Sequence, residues 1–284
     1  KKMSEFQYIL DKIDNADYVT DPFTFLYIED FLSEEHFDIV TQDQQINLKE
    51  VESTEELVKT LQAKGYKPVP FPGCTTDVNE YVKWYNNGAG QTPAHAQGLI
   101  EGFGMSFRMM KYNNPTIESL INFLNSDEFY TTILTKFGKS INRENTYVET
   151  TIQKYVSGYE ISPHPDIRKK VLTYMLNINP SDQAESMGLQ TDFLKFIPRY
   201  EHIYEIWNKD VFSDRFWVPW DWCETVFKQV KNNSITMFAP SNDTLHAVKL
   251  DYDHCKTQRT QVYGNVWLNK TNVTKRPNWR NYRR

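Results

Sequence analysis

The segment SGYEISPHPDIRKK places two potential metal ligands, His164 and Asp166, on either side of Pro165. A residue that precedes proline is restricted to extended backbone, and proline itself is compatible with an extended chain. Side chains two residues apart in an extended chain project to the same side, so this pair can converge on one ion. Proline cannot donate to a central sheet ladder, which predicts that the pair lies at a strand edge or mouth.

A third ligand is needed, because a His-x-Asp triplet arises easily by chance in a chain with six histidines. The segment NNSITMFAPSNDTLHAVKL suggests one: a strand over 235–238, a turn at PSND, and His246 entering the next strand. Two neutral imidazoles and one carboxylate form the facial set that suits non-haem Fe(II) and leaves coordination positions open. The sequence therefore predicts a metal centre of His164, Asp166 and His246.

Strand patterns dominate the second half of the chain and would carry these ligands. Runs of β-branched and aromatic residues predict strands over 147–156, 171–178, 234–239, 245–249 and 258–268. Helix signals come earlier: Pro115 opens one amphipathic run, and Ser126 caps a second helix that Gly138 ends. This order predicts an α+β fold in which helices brace a strand core on one flank.

Two further regions are less regular. A strand over 23–28 and a helix capped by Ser33 are predicted near the N-terminus, at the start of a helical and irregular region over about 30–140, but residues 41–100 read as polar and irregular. Residues 181–233 read as an insertion between strands, with four of the seven tryptophans: Trp207, Trp217, Trp220 and Trp222. The expectation is an extra helical layer in which these rings pack, with a lid or wall over a pocket as the alternative.

Composition limits the functional classes. A chain of 284 residues is compatible with one elaborated domain over 1–284. A net charge of -5 argues against a general nucleic-acid binder, and the basic tail over 270–284 is expected to be solvated. Three scattered cysteines, the lack of any apolar run near the roughly 20 residues of a membrane span, and an N-terminus without signal-peptide features predict a cytoplasmic protein without a membrane partner.

The order of these segments resembles the 2-oxoglutarate/Fe(II)-dependent oxygenase superfamily. The shared features are the HPD triplet, a strand ending in LNINP, a GLQTD segment, the NSITMFAPS strand, the histidine of LHAV and a later basic residue. The opening DPFTFLYIEDFLSEEH is similar to the start of the prolyl-4-hydroxylase-like branch. The resemblance spans residues 20–268, more loosely over 41–140 and the insertion, and implies a double-stranded β-helix (jelly-roll, cupin-like) core over about 146–268.

By this resemblance His164, Asp166 and His246 would hold Fe(II), with 2-oxoglutarate and O₂ in the open positions. The implied reaction is hydroxylation of an unactivated C–H bond with release of succinate and CO₂. Arg259 is the expected partner of the far carboxylate of 2-oxoglutarate, because a guanidinium matches a carboxylate with two hydrogen bonds. Lys256 is the competing candidate for this role.

Two weaker assignments come from the same resemblance. Tyr155 matches a tyrosine that precedes the His-x-Asp triplet in relatives and could donate a hydrogen bond to the cosubstrate. Asn177 matches a strand position that helps to hold the far carboxylate in some members. Alternation along RTQVYGNVW places Arg259, Gln261 and Tyr263 on one face of their strand.

Other classes of function stay open at this point. A non-catalytic cupin-like barrel could bind a metal or ligand without turnover, and a zinc hydrolase could use the same ligands, although no carboxylate has motif-level placement as its general base. Asp166, where halogenating relatives have glycine or alanine, implies hydroxylation, with desaturation or ring formation still open. The expected substrate is a peptidyl proline or other protein side chain, or a free amino acid-like metabolite.

Overall fold

The computed structural model describes residues 3–71, 73–88, 101–271 and 273–275. The helices are α1 (Tyr8–Asn15), α2 (Glu34–Gln42), α3 (Thr54–Ala63), α4 (Val78–Asn86), α5 (Pro115–Leu124), α6 (Asp127–Lys136) and α7 (His202–Lys209). The strands are β1 (Tyr18–Val19), β2 (Phe25–Ile28), β3 (Tyr66–Pro68), β4 (Ser106–Met109), β5 (Thr146–Tyr155), β6 (Glu160–His164), β7 (Lys170–Asn177), β8 (Thr191–Phe196), β9 (Cys223–Gln229), β10 (Ile235–Phe238), β11 (His246–Lys249) and β12 (Arg259–Leu268). Helices and strands are both prominent, as the predicted α+β class requires.

The strands form two antiparallel sheets. The larger has the order β1-β2-β10-β7-β12-β5-β4-β3, and the smaller has the order β6-β11-β8-β9. From β5 onward the chain crosses repeatedly between them, with β5, β7, β10 and β12 in the larger sheet and β6, β8, β9 and β11 in the smaller. Side chains from both sheets line one cavity between them.

The strongest local signals of the sequence are confirmed. The boundaries of the five strands predicted in the second half each lie within one residue of β5, β7, β10, β11 and β12. The hydroxyls of Ser33 and Ser126 accept hydrogen bonds from backbone N–H groups in the first turns of α2 and α6, as N-caps do. Gly138 follows α6 with a φ of 62°, the left-handed conformation of a helix C-terminus.

The prediction that residues 41–100 are irregular was wrong where the structure describes them. This part of the chain contains α3, β3 and α4. Ser53 caps α3, and Leu57, Val58 and Leu61 form a buried stripe on a helix that is otherwise polar. The polar average of the region concealed this narrow apolar face. Residues 89–100 lie outside the described part of the chain.

The boundaries of the predicted insertion over 181–233 were also wrong. Strands β8 and β9 lie inside it and form half of the smaller sheet. Nearly all of β8 is buried, so TDFLKF lacks the alternation of apolar and polar residues that marks a half-exposed strand. Strand β6 was not predicted either. The predicted basic tail over 270–284 lies mostly outside the described residues.

Helices α5 and α6 cover the larger sheet on the side away from the cavity. Ile117 and Leu120 of α5 belong to the same buried cluster as Val262 and Val266 of β12. Gly264, between these two valines, leaves room for the ring of Tyr174, since a Cβ there would lie 2.1 Å from a carbon of that ring. In the described residues, no helix has both the length and the apolar character to span a bilayer.

The loop between β11 and β12 fixes the start of β12. The buried His254 accepts a hydrogen bond at Nδ1 from the Ser157 N–H (3.0 Å), and its Nε2 lies 2.9 Å from the hydroxyl of Thr54. The hydroxyl of Tyr252 accepts a hydrogen bond of 3.0 Å from the Arg259 N–H. These contacts hold the chain where it enters the strand that begins with Arg259.

His254 makes the stability of this loop dependent on pH. Burial lowers the pKa of His254 to about 4, below its ordinary value near 6.5. The neutral, buried His254 contributes to the free energy of unfolding, and this contribution is complete above pH 6.5. It is lost as the pH falls toward about 4, because in that range the imidazole takes up a proton in the unfolded chain but not in the folded one. We expect His254→Gln to reduce the loss of unfolding free energy between about pH 7.5 and about pH 5 by on the order of 2 kcal/mol, measured by urea denaturation.

The exposed His202 provides the matched control for this measurement. His202→Gln makes the same change of residue type on the surface, and it is measured beside the His254 variant. An equal loss in the His254 variant and the wild type would contradict a buried, neutral His254.

Candidate metal centre

The register of two neighbouring strands brings two histidines together. His164 ends β6 and His246 begins β11, and they are direct antiparallel partners. Opposed residues on paired strands have side chains on the same face, about 5 Å apart at Cβ. The ring centroids accordingly lie 4.2 Å apart. Strand β6 is an edge strand, which agrees with the position that Pro165 predicts.

A backbone carbonyl orients each imidazole. Nδ1 of His164 lies 2.9 Å from the Ser162 oxygen, and Nδ1 of His246 lies 2.9 Å from the Thr244 oxygen. A carbonyl can only accept, so each Nδ1 carries the proton and each Nε2 presents its lone pair. Burial lowers the pKa of His246 and lowers that of His164 to about 3. Both rings are therefore neutral ligands near pH 7.

Asp166 reaches the imidazoles through a turn. Its φ is 79°, a region that residues other than glycine rarely adopt. The expectation of an extended His164–Asp166 pair was therefore wrong in its local geometry, although the carboxylate does converge with the rings. Asp166 Oδ1 lies 3.7 Å from His164 Nε2, and Oδ2 lies 3.8 Å from His246 Nε2.

The arrangement of these atoms fits a metal ion. Both separations are too long for hydrogen bonds, but two atoms bound to one ion at about 2.1 Å each can lie up to about 4.2 Å apart. One ligand atom from each of the three residues lies within 4.8 Å of the others, and no second such group was found among the described residues. Two imidazole nitrogens and a carboxylate oxygen are the donors that suit non-haem Fe(II).

Asp166 has two further partners. Lys170 Nζ donates to Oδ1 (2.8 Å), and the Thr173 hydroxyl donates to Oδ2 (2.7 Å). The Lys170 and Asp166 side chains are only 9% and 5% exposed. Burial alone would raise the pKa of Asp166, but the Lys170 ammonium and the imidazoles hold that pKa well below its usual value. The carboxylate is therefore ionised and available to a cation.

The position of Lys170 beside Asp166 was not predicted from the sequence, and a β-bulge explains why. A register shift between β7 and β12 pairs Lys170, rather than Val171, with Trp267. The extra residue places Lys170 on the same face of β7 as Thr173, toward Asp166. A bulge depends on the partner strand, so simple alternation along β7 would have placed Lys170 on the other face. The one available signal was the position of a lysine four residues after the aspartate.

Arg259 lies in the cavity wall beside the candidate metal centre. The cavity has a volume of about 300 Å³, and His164, Asp166, His246 and Arg259 all line it. Arg259 is 1% exposed; its Nε donates to the Leu189 oxygen (2.7 Å) and its Nη2 to the Thr191 hydroxyl (2.9 Å).

Arg259 forms no salt bridge within the described residues: none of their carboxylates lies within 4.0 Å of its guanidinium, and the carboxyl group of Asp192 feels its charge only from a greater distance. Burial lowers the pKa of Arg259, but an arginine side chain remains charged in proteins. A buried cation without an anion favours the binding of an anionic ligand. The cavity therefore combines a candidate metal-binding set with a buried cation that can bind an anion.

The other residues named from the sequence divide into two groups. Tyr155 pairs with Arg259 across β5 and β12, its ring centroid lies 4.5 Å from the guanidinium carbon, and it lines the cavity. Gln261 and Tyr263 share the cavity wall with Arg259, as strand alternation predicts. Lys256 is outside the cavity: its side chain is 65% exposed and lies 3.6 Å from Asp253.

The structure does not place Asn177 in the cavity lining. Its amide nitrogen donates to the backbone oxygens of Gln229 and Lys231, and its oxygen accepts a hydrogen bond of 2.8 Å from Gln261 Nε2. Asn177 therefore supports Gln261, a lining residue, rather than facing a ligand directly.

The aromatic residues after β8 have two roles. Trp207, Trp220 and Trp222 belong to a cluster that packs against apolar residues of β8 and β11, which agrees with the expectation of a packing layer. Trp217 instead lines the cavity, where Arg215 Nη1 also lies 2.8 Å from Glu101 Oε1. The expected layer and its alternative, a wall over a pocket, each describe part of this segment.

No protein-family model matches the chain, and a search of curated proteins found no match. Among solved structures, similar chains include a prolyl-4-hydroxylase from Pseudomonas putida, with 8% identity, 93% of this chain and 97% of that chain covered, and a TM-score of 0.43. Another is a prolyl hydroxylase from Trichoplax adhaerens in complex with a hypoxia inducible factor peptide, with 11% identity, 92% and 88% covered, and a TM-score of 0.39.

HygX from Streptomyces hygroscopicus, with nickel and 2-oxoglutarate bound, is similar at 9% identity, with 95% of this chain and 88% of that chain covered and a TM-score of 0.37. The likeness is distant, so the case for a function depends on the side chains of the site.

The three ligands should be required for metal binding. We expect His164→Ala and His246→Ala each to weaken the binding of Mn(II) or Co(II) at least about 100-fold, because loss of a ligand leaves an incomplete donor set. Isothermal titration calorimetry measures this directly. His202→Ala, on the exposed surface, should bind as the wild type does, and unchanged affinity in both ligand variants would exclude these residues as ligands.

Proposed function

We propose that the chain is an Fe(II)- and 2-oxoglutarate-dependent dioxygenase that hydroxylates an unactivated C–H bond and releases succinate and CO₂. One observation carries this proposal: a His-Asp-His set and a buried arginine without a carboxylate partner in the described residues line the same cavity. The first suits a ferrous ion with open positions, and the second suits the far carboxylate of a dicarboxylate cosubstrate.

The proposed core is a double-stranded β-helix over about 146–268, within one domain over 1–284. The order of the strands supports it: β10-β7-β12-β5 are neighbours in one sheet, and β6-β11-β8-β9 form the other. A chain that winds back and forth between two four-stranded layers is the arrangement of a jelly roll. The cavity between the layers then corresponds to the interior of the roll.

The candidate metal ligands and Arg259 have separate roles in the proposed reaction. His164, Asp166 and His246 would hold the iron, which with 2-oxoglutarate and O₂ supplies the oxidising chemistry when bound. Arg259 binds the far carboxylate of 2-oxoglutarate, and the Leu189 carbonyl and Thr191 hydroxyl hold its guanidinium in place.

Further residues of the cavity position the cosubstrate and exclude water. Tyr155 packs against Arg259 and would lie beside the carboxylate that Arg259 binds. Ile161, Met175 and Val248 line the cavity with apolar surface, which limits the access of water to the reacting groups. Asn177 acts indirectly through Gln261, and Lys256 takes no part in the proposed site.

The proposed substrate is a protein side chain, such as a peptidyl proline, or a small amino acid-like molecule. A cavity of about 300 Å³ is of the size that holds a side chain or a small metabolite beside a cosubstrate. The three cysteines are free, which suits a reducing compartment such as the cytoplasm.

A screen for succinate release tests the proposed reaction. The purified chain with Fe(II), ascorbate and 2-oxoglutarate should release succinate, and a substrate among peptides and free amino acids should raise the rate at least about tenfold, since substrate completes the site. His246→Ala provides the inactive control. Metal and 2-oxoglutarate binding without any succinate release would favour the alternative, a non-catalytic cupin-like barrel.

The anchor of the cosubstrate can be tested separately. We expect Arg259→Ala to weaken 2-oxoglutarate binding at least about 30-fold and metal binding by less than about threefold, because only the carboxylate partner is lost. Arg259→Lys should recover part of this affinity, since it restores the charge but not the planar fork. Lys256→Ala should bind 2-oxoglutarate normally, and the reverse result for the two alanine variants would assign the anchor to Lys256.

A further inference from the structure

Lys170 places a fixed positive charge against the carboxylate of the candidate metal centre. Its ammonium donates to Asp166 Oδ1 (2.8 Å) and to the Tyr263 hydroxyl (2.7 Å). The ring centroids of Tyr263 and Trp267 lie 5.4 Å and 5.3 Å from Nζ. These contacts, on a side chain that is 9% exposed, hold the ammonium in one place.

The charge of the site follows from these contacts. Within the described chain, Asp166 is the one carboxylate that forms a salt bridge with Lys170. The imidazoles of His164 and His246 add no negative charge to the ligand set, so the ammonium offsets the single negative charge of that set, which is on Asp166. A divalent cation bound there would meet a set with no net charge, and an anion would have to supply the missing negative charge.

We propose that Lys170 is the built-in counter-ion of Asp166: it holds the carboxylate in position, and it makes tight metal binding depend on an anionic cosubstrate. The identity of that cosubstrate, 2-oxoglutarate, rests on the proposed function. The effect of Lys170 on the binding of metal alone does not, because it follows from the ion pair itself.

A thermodynamic cycle gives the direction of the effect. Without Lys170, the metal-free protein contains a buried carboxylate that has lost its cation, and this destabilises the folded state. A metal ion that binds the carboxylate then restores the missing positive charge. The stability that the metal-free variant has lost is regained when the metal binds, so the variant binds metal more tightly than the wild type. An anionic cosubstrate then increases the metal affinity of the variant by less than it does in the wild type.

Titrations of the metal alone test this inference. We expect Lys170→Met and Lys170→Gln to bind Mn(II) or Co(II) at least about tenfold more tightly than the wild type, by calorimetry without 2-oxoglutarate. In EDTA both variants should melt at a lower temperature than the wild type, and saturating metal should raise their melting temperatures by more. Lys170→Gln keeps a hydrogen-bond donor near Asp166, so it provides a folded variant if the methionine variant does not fold.

Two control variants separate the charge from other effects. Lys170→Arg retains the cation and should bind metal within about threefold of the wild type. Lys169→Met removes the neighbouring lysine, whose Nζ lies 6.0 Å from the ring centroid of Tyr147, and should leave metal affinity unchanged. Tighter binding in Lys169→Met to the same degree would show a general change of charge and overturn the role of Lys170.

The dependence on cosubstrate is measured by repeating the titrations with 2-oxoglutarate. The cosubstrate should tighten metal binding by the wild type at least about tenfold more than it does in Lys170→Met. Equal or weaker binding of metal alone in both neutral variants would overturn the inference. Tighter binding in these variants without any effect of 2-oxoglutarate on the wild type would support the counter-ion and contradict the proposed cosubstrate.

Discussion

The pairing of β6 with β11 is the constraint on which the candidate site depends. It sets His164 directly opposite His246, which is far from it in the sequence. A slip of one residue would turn one imidazole to the opposite face of the sheet. Strand β8 supports the register from the other side of β11, where Phe193 is the partner of His246. The ring of Phe238, from the larger sheet, also packs against His246, at 4.9 Å between centroids.

The cavity holds two buried cations in different electrostatic situations. Lys170 is paired with Asp166, whereas Arg259 has hydrogen bonds to neutral oxygens but no carboxylate partner in the described residues. A buried arginine without an ion-pair partner destabilises the ligand-free protein and favours the binding of an anionic ligand. Its charge is held in place by hydrogen bonds before that ligand binds. The paired lysine has the opposite consequence, because it reduces the negative charge that a metal ion would meet. The two cations thus act together to favour the binding of a metal with an anion over either alone.

The sequence was sufficient for the residues that depend on local pattern. His246 and Arg259 stand at the first positions of strands whose apolar runs are clear, and alternation along β12 correctly grouped Arg259 with Gln261 and Tyr263. The same reasoning failed where the pairing with a neighbouring strand determines which way a side chain points. Lys170 faces Asp166 only because β12 imposes a bulge on β7, and the positive φ of Asp166 has no signature in HPD. Strands buried on both faces, such as β8, lack the alternation that would have identified them.

The residues proposed to bind the metal and the cosubstrate lie on paired strands, whereas part of the cavity wall comes from a connection between strands. His164, His246 and Arg259 lie at strand ends within paired sheets, where hydrogen-bonded neighbours fix each backbone position. Trp217 lies instead in the long connection between β8 and β9, anchored through the aromatic cluster of Trp207, Trp220 and Trp222. Connections tolerate changes of sequence and length that paired strands do not. In the proposed oxygenase the strands therefore fix the chemistry, and the connection around Trp217 is the part of the cavity wall that can change to suit a substrate.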